Sequence, residues 1–510
     1  MSTGYKYLAT EKLRFRFIAR LKCLFNVSKN APELTNMVVI VFFISINLFW
    51  VLTAEIIPFQ DLPNHLASVR ILLESDHNQL FQEYFSISDY LLKPYIVHAI
   101  LLYLFSFVGL DAAVKIIVSL IMISLPASLF FFLYKIDKNS TYLSTVCLPL
   151  LWNKLLVKGN LGFLLGIALA FFTLAVVWDI VINGKKNLKN HLFAAILSSF
   201  VFLTHLVAFF LMFLSIIILI ISASAYLKKR CVTVFISFIP SIVLCGCLFL
   251  FSPIQSKATG NMHFSITENL NISNLFDIFS SSEIQMYLPL LGWMIVLCII
   301  GVKKWKTHLP QIYMVSGILL IYLLLPTRMG DLVRPYERSF FFLLFIIPVL
   351  FTNINIRYFK LLTFYVCCIS ALFVDHYYIS YLNKLIPPLC ETRAMLAKLQ
   401  NGKKLLPIFV NEPYIGETSV VMHLPSYYTV DSRGYVPTVF GTDYSLVNKK
   451  ENDDIQSFTL EQLLELVDSY DYLFLFGTNA MVLKNLHRKN FYMVGRSENI
   501  RIYANSSHPL

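Results

Sequence analysis

Long apolar runs separated by short polar or basic turns fill the first three quarters of the chain. Runs of roughly 17–25 residues are long enough to cross a bilayer as α-helices. They fall at 36–57, 113–134, 140–157, 162–182, 190–206, 207–226, 231–252, 285–302, 309–326, 336–352 and 357–380. The runs are continuous rather than alternating, which excludes a β-barrel. A further apolar stretch, 94–110 ("PYIVHAILLYLFSFVGL"), is ambiguous between a span and a surface helix. Beyond residue 381 the pattern changes. "KKLLPIFV", "DYLFLFG" and "IRIYAN" read as strands, and "TLEQLLELVDSY" reads as a helix with Thr459 as its N-cap. Residues 381–510 are therefore expected to form a small α/β domain.

Basic clusters set the orientation, because Lys and Arg collect in cytoplasmic turns. Lys12, Arg14, Arg16, Arg20 and Lys22 lie before the first run. Lys185, Lys186 and Lys189; Lys228, Lys229 and Arg230; Lys303, Lys304 and Lys306; and Arg357 and Lys360 follow later runs. Counting spans from these places "KIDKN" (Lys135 to Asn139) inside, and Asp61 and Asp111 outside. Segment 94–110 must then begin and end on the outer side, as an interfacial or re-entrant helix within one external loop, 58–112. A polytopic α-helical membrane protein of about 11 transmembrane helices results, N-terminus inside and C-terminus outside. This count splits 190–226 at "THL" (Thr204 to Leu206); fusing the halves would invert everything after it. Residues 1–35 read as a basic, cytoplasmic surface helix with no signal-peptide cleavage site, 36–380 as the transmembrane domain, and 381–510 as the extracytoplasmic domain.

Composition supports this reading. The chain is 57% hydrophobic and 14% charged, with a mean hydropathy of +0.66, more apolar surface than a water-soluble core of this size can hide. The net charge of +12 could suggest nucleic acid, but the residues from Tyr381 onward carry 13 Lys/Arg and 13 Asp/Glu. The excess lies wholly in the membrane part, so it is an orientation signal and no nucleic-acid partner is expected. Of nine cysteines only Cys390 falls in the C-terminal part, which therefore cannot close an internal disulfide.

The charged residues beside the first run carry the candidate chemistry. In "EIIPFQDLPNHLASVRILLESDHNQ" (Glu55 to Gln79), Asp61 suits an N-cap and Pro63 a first turn, which predicts an amphipathic helix from Leu62 to about Leu73. Leu62, Leu66, Val69 and Leu73 share one face, and His65 and Arg70 lie elsewhere on its surface. The plain reading makes Asp61 a cap and His65 an interface residue; a metal on Asp61 and His65 would need further ligands. A second cluster is "LLPTRMGDLVRPYERSFFF" (Leu324 to Phe342), where Arg328, Arg334 and Arg338 sit on the outer side against the usual bias. Arginine forks suit phosphate, although Asp331 and Glu337 could satisfy them locally. Lys154, Lys158 and Asn160 mark another outer turn. Gly159, Gly162 and Gly166 suit helix packing, and His205 lies at an outer span end. The C-terminal segment offers His423, Asp431 and Arg433 without a nucleophile triad. No nucleotide-binding glycine motif is present in the chain.

This arrangement resembles the GT-C superfamily of integral-membrane glycosyltransferases. "DLPNHLASVRIL" looks like the acidic first-loop motif of bacterial members, "KPYIVHAILLYLFSFVGL" like the segment closing that loop, and "LLPTRMGDLVRPYER" like the late external loop. The resemblance implies a lipid-linked sugar donor of the polyprenyl-phosphate type, a glycan, lipid or protein acceptor, and contact with membrane lipids. It places the base or acceptor-positioning carboxylate on Asp61. Donor binding would involve His65, Arg70 and Arg328, with the lipid phosphate on Arg334 or Arg338. Many members carry a second acidic residue in the next outer loop; here that loop is "NKLLVKGN", so no metal or other cofactor is expected. A bacterial inner membrane, with the active site on its outer face, is the expected location.

Overall fold

The computed structural model describes residues 32–88, 92–185, 187–251, 262–263, 284–302, 309–325, 328–329, 332–333, 335–352, 354, 357–411, 419–439, 446–450 and 458–507. The basic segment before residue 32 lies outside them. Each of the expected spans falls on helix. Among the described residues, five helical stretches are long and apolar enough to cross a membrane: Thr35–Thr53, Leu110–Ile136, Leu161–Val181, Leu206–Ala223 and Arg357–Ala397. Shorter apolar helices occupy Leu188–Thr204, Ile239–Leu248, Tyr287–Val296 and Leu309–Leu324. The protein is an integral, multi-pass membrane protein.

Leu161–Val181 is the central post, its apolar window 89% buried. It contacts the helices Leu110–Ile136, Leu188–Thr204 and Leu206–Ser237. Its glycines admit close approach: a Cβ at Gly166 would lie 3.0 Å from Ala208 Cβ, and one at Gly162 would lie 3.2 Å from the Thr204 carbonyl. Lipid supplies little drive for helices to associate, so such backbone proximity and buried polar contacts carry the packing. One such network joins four sequence-distant segments. Asn47 Nδ2 donates to Asp375 Oδ2 at 3.0 Å, Trp152 Nε1 donates to Asn47 Oδ1, and the Tyr287 hydroxyl donates to the Trp152 carbonyl at 3.0 Å.

Two stretches depart from straight α-helices. Residues 140–157, expected as an ordinary span, are a 3-10 helix of 13 residues, Lys138–Leu150, followed by the short helix Lys154–Val157. Such length is uncommon. The hydroxyls of Thr141, Ser144 and Thr145 donate to the carbonyls of Lys138, Thr141 and Tyr142, each three residues back. The second departure is Leu206–Ser237, which is helical through Lys228–Arg230 where a loop was expected. Phe213 and Phe238 nevertheless meet with ring centroids 6.1 Å apart. Twenty-five residues of straight helix would separate them by roughly 37 Å, so the helix folds back between them. The split at "THL" holds: His205 adopts φ −164°, ψ 123° between the two helices.

Segment 94–110 forms a short helix, Val97–Phe105, with a 3-10 turn, Ser106–Val108. Twelve helical residues reach roughly 20 Å at most, too short to cross a bilayer. The last apolar helix runs unbroken over Arg357–Ala397, beyond the boundary expected at 381.

Nine strands occur among the described residues: β1 Phe85–Ile87, β2 Met262–His263, β3 Arg328–Met329, β4 Leu332–Val333, β5 Leu405–Phe409, β6 Val447–Lys449, β7 Tyr472–Phe476, β8 Phe491–Ser497 and β9 Ile500–Asn505. The main sheet has the order β5-β7-β9-β8, with β5 parallel to β7 and the other pairs antiparallel. Thr459 caps the helix Leu460–Leu466 in a capping box with Gln462. The C-terminal part is stitched to the first loop. β1 pairs with β6, Tyr84 stacks on Tyr435 at 4.0 Å, and Arg393 grips both Asp111 and Asp431.

Candidate functional site

Asp61 stands at the head of the helix Leu62–Glu74, with Pro in its first turn. Its side chain does not cap that helix. Asp61 has φ −86° and ψ −5°, whereas an N-cap carboxylate reaches the first amides from an extended backbone. The carboxylate is thus left for other work, and its side chain is 25% exposed. The backbone is held from the next outer turn: Gln60 N donates to the Val157 carbonyl at 2.9 Å, and Asp61 N to the Lys158 carbonyl at 3.2 Å. Gly159, at φ +88°, lies flush against Asp61, and a Cβ there would be 3.0 Å from Asp61 Cβ. This glycine serves the site rather than helix packing.

The same turn meets the helix Pro335–Ile346. Lys158 Nζ pairs with Glu337 at 3.1 Å, and Arg338 Nη2 donates to Asn160 Oδ1 at 3.2 Å. Arg338 lies within Coulombic reach of Asp61, Glu337 and Tyr95. Glu337 is therefore engaged by lysine, and Arg338 holds the same turn that binds the Asp61 backbone.

Imidazoles line the other side. His65 Nε2 donates to the Gly159 carbonyl at 3.3 Å, and its ring meets His98 edge-on at 4.8 Å. Burial holds His65 below its ordinary value, against an opposing pull from Asp61. Burial, then the neighbouring His65, lowers His98 to about 3. Both rings are neutral near pH 7. His205, packed between Tyr95 and Phe163, continues the line.

His423 comes from the C-terminal segment, where a 3-10 helix, Val420–Ser426, packs on the loop helix. Its Nε2 lies 3.4 Å from Asp61 Oδ1 and its Nδ1 lies 2.6 Å from Asn64 Nδ2. Asn64 also accepts from the Ser426 hydroxyl and donates to the Thr438 carbonyl at 3.3 Å.

Of the residues singled out in the sequence, Asp61, His65 and Arg338 come together. Arg70 does not join them: it pairs with Glu74 at 2.7 Å and donates to the Val430 carbonyl at 2.9 Å. Nine residues along a helix is two and a half turns, which puts Arg70 on the side opposite Asp61. Arg328 lies in β3, paired with β2 and β4. Arg334 and Asp331 lie outside the described residues. Among the described residues no group of three His, Cys, Asp or Glu is disposed to hold a metal ion. Asn64, His98 and Ser426 were not singled out. Asn64 and His98 do sit in apolar surroundings where a polar side chain needs a partner.

No protein-family model matches the chain, and no curated protein sequence does. Its backbone superposes on that of ArnT from Cupriavidus metallidurans bound to undecaprenyl phosphate, with a TM-score of 0.60 over 94% of this chain and 99% of that one, at 9% identity. The apo state of the same protein gives 0.59 over 92% and 98%, at 10% identity. The chain has the fold of these ArnT structures. The arabinofuranosyltransferase AftD from Mycobacteria shares it, with a TM-score of 0.51 and 12% identity. That alignment covers 91% of this chain but 40% of AftD. At these identities the likeness is one of backbone architecture, and residue roles rest on the geometry of this chain.

Proposed function

We propose that the protein is a membrane glycosyltransferase that moves a sugar from a polyprenyl-phosphate-type lipid donor to a hydroxyl on a glycan, lipid or protein acceptor. Transfer would occur at the outer face of the membrane, the bacterial inner membrane being the expected one. One observation carries the reading: the turn Lys158–Asn160 accepts from the Asp61 backbone and from the half-buried Arg338, bringing a first-loop carboxylate and an arginine to the same turn. Asp61 takes the proton as the acceptor oxygen bonds to the anomeric carbon, and the bond from that carbon to the donor phosphate breaks. The lipid phosphate leaves with the electron pair, and Arg338 offsets the charge growing on it, a preorganised electrostatic role. His65 and the turn Lys158–Asn160 form the wall between them. Arg334, outside the described residues, is a further donor-binding residue in this reading, and Arg328 and Arg70 would act on the lipid or the acceptor.

The experiment uses purified protein in lipid nanodiscs with labelled polyprenyl-phosphate sugars and a lysate of candidate acceptors. Asp61→Asn is expected to lose about 10²- to 10⁴-fold in turnover while remaining folded, the usual contribution of a general base. Equal turnover in Asp61→Asn and wild type would remove Asp61 from this role.

A further inference from the structure

We propose that His423 is a positioning residue for Asp61, locked by Asn64 as the neutral tautomer that carries its proton on Nε2. The inference rests on Asp61 acting as the base, and the hydrogen-bond pattern fixes the rest. A backbone carbonyl can only accept, so the Asn64 atom 3.3 Å from the Thr438 carbonyl is the amide nitrogen. The amide oxygen then faces Ser426, whose hydroxyl donates to it. The same amide nitrogen is 2.6 Å from His423 Nδ1 and has only hydrogens to offer, so Nδ1 accepts. The ring proton is left on Nε2, which faces Asp61 Oδ1 at 3.4 Å.

Burial makes the arrangement decisive. Asn64 and Ser426 are wholly buried and His423 is 3% exposed, so bulk water does not compete for these atoms. A second proton on Nδ1 would point into the Asn64 amide hydrogen. His423 is therefore no relay: it does not carry the proton away from Asp61. It supplies one N–H to one carboxylate oxygen and so leaves the other turned to the acceptor hydroxyl. At 3.4 Å the two groups are close without a tight hydrogen bond, and the bond forms when substrate closes the site, as catalytic contacts often do. In the reaction the acceptor proton passes to the free oxygen of Asp61, and His423 only donates a hydrogen bond throughout. The C-terminal segment thus orients the first-loop base.

The test combines solid-state NMR and kinetics on the full chain in nanodiscs. Protein labelled with ¹⁵N at the histidine rings is compared with His423→Gln to assign the His423 signals at neutral pH. An unprotonated Nδ1 with a protonated Nε2 is expected. Turnover is measured with a polyprenyl-phosphate sugar for wild type, His423→Ala and His423→Gln. Misalignment of a reacting group by about 1 Å costs about 10²-fold, so His423→Ala should lose about 10- to 100-fold in kcat. Its KM should stay within about threefold, because only transition-state alignment is lost. Glutamine can still offer an N–H to Asp61 and should recover most of kcat. A proton on Nδ1, an unchanged kcat in His423→Ala, or a folded glutamine variant no better than alanine would each overturn the inference. A wild type that turns over none of the donors counts against the transferase reading, and the tautomer measurement then decides His423 by itself.

Discussion

Gly159→Ala should disturb the proposed active site without replacing an ionisable group. Gly159 has φ +88°, and an added Cβ would lie 3.0 Å from Asp61 Cβ and 3.1 Å from Asp61 N. These are atoms of the main chain and its first carbon, not the loose end of a side chain. Ordinary contact begins at 3.4 Å, so Asp61 has to retreat by at least 0.4 Å, and by 1 Å to relax fully to 4 Å. The left-handed backbone adds about 1–2 kcal/mol of strain for any residue with a Cβ. A carboxylate displaced by up to 1 Å from its near-attack position should lower turnover by about 10- to 100-fold. Gly402→Ala is the control. Gly402 has φ +69° with nothing within 4 Å of its added Cβ, so it carries similar strain and no collision with Asp61. Thermal unfolding and donor turnover in nanodiscs are measured on both. Both variants should melt lower than wild type, and only Gly159→Ala should lose turnover. A folded Gly159→Ala protein with wild-type turnover would refute the reasoning that this turn positions Asp61.

Arg393→Lys keeps the charge but loses the fork that bonds Asp111 at 2.9 and 3.0 Å and Asp431 at 2.7 and 2.9 Å. Discounted for the 47% exposure of Asp111, the loss should be about 1–3 kcal/mol, read as a lower unfolding temperature, and an unchanged melt would count against a fastening role. Stability should also fall on mild acidification. With His98 at about 3 in the folded protein and 6.5 as its ordinary value, the unfolded chain binds more protons between those limits, so stability is lost as pH falls through that window. The slope for this group is at most about 1.4 kcal/mol per pH unit, and His65 acts in the same direction. Melting curves at pH 7 and pH 5 should differ less in His98→Phe than in wild type; equal slopes would remove His98 as a source.

Sequence patterns reached what is written locally. The apolar runs, the break at Thr204–Leu206, the loop helix and the strands at Leu405, Tyr472 and Ile500 each follow from a period or a breaker within a short window. The 3-10 form of Lys138–Leu150 did not, because its composition is that of any polar-spotted span. Gly159 looked like its neighbours Gly162 and Gly166 because nothing nearby in sequence points to Asp61. The partnership of Asn64 with His423 spans 359 residues, and no local pattern could announce it. Arg70 illustrates the reverse: it sits in the motif but two and a half turns round the helix from Asp61.

The pairing of the first loop with the C-terminal segment has a consequence for biosynthesis. Asn64 meets His423 and Ser426 across 359 and 362 residues of chain. At about 5–20 residues per second of synthesis, roughly 20 to 70 s separate the emergence of the two halves. During that interval Asp61 lacks its imidazole, β1 lacks β6, and Asp111 lacks Arg393. The nascent bundle can take its place in the bilayer while its reaction centre is still open and unaligned. Assembly of that cluster has to wait for the C-terminal segment, so a chain cut short before His423 would insert without it.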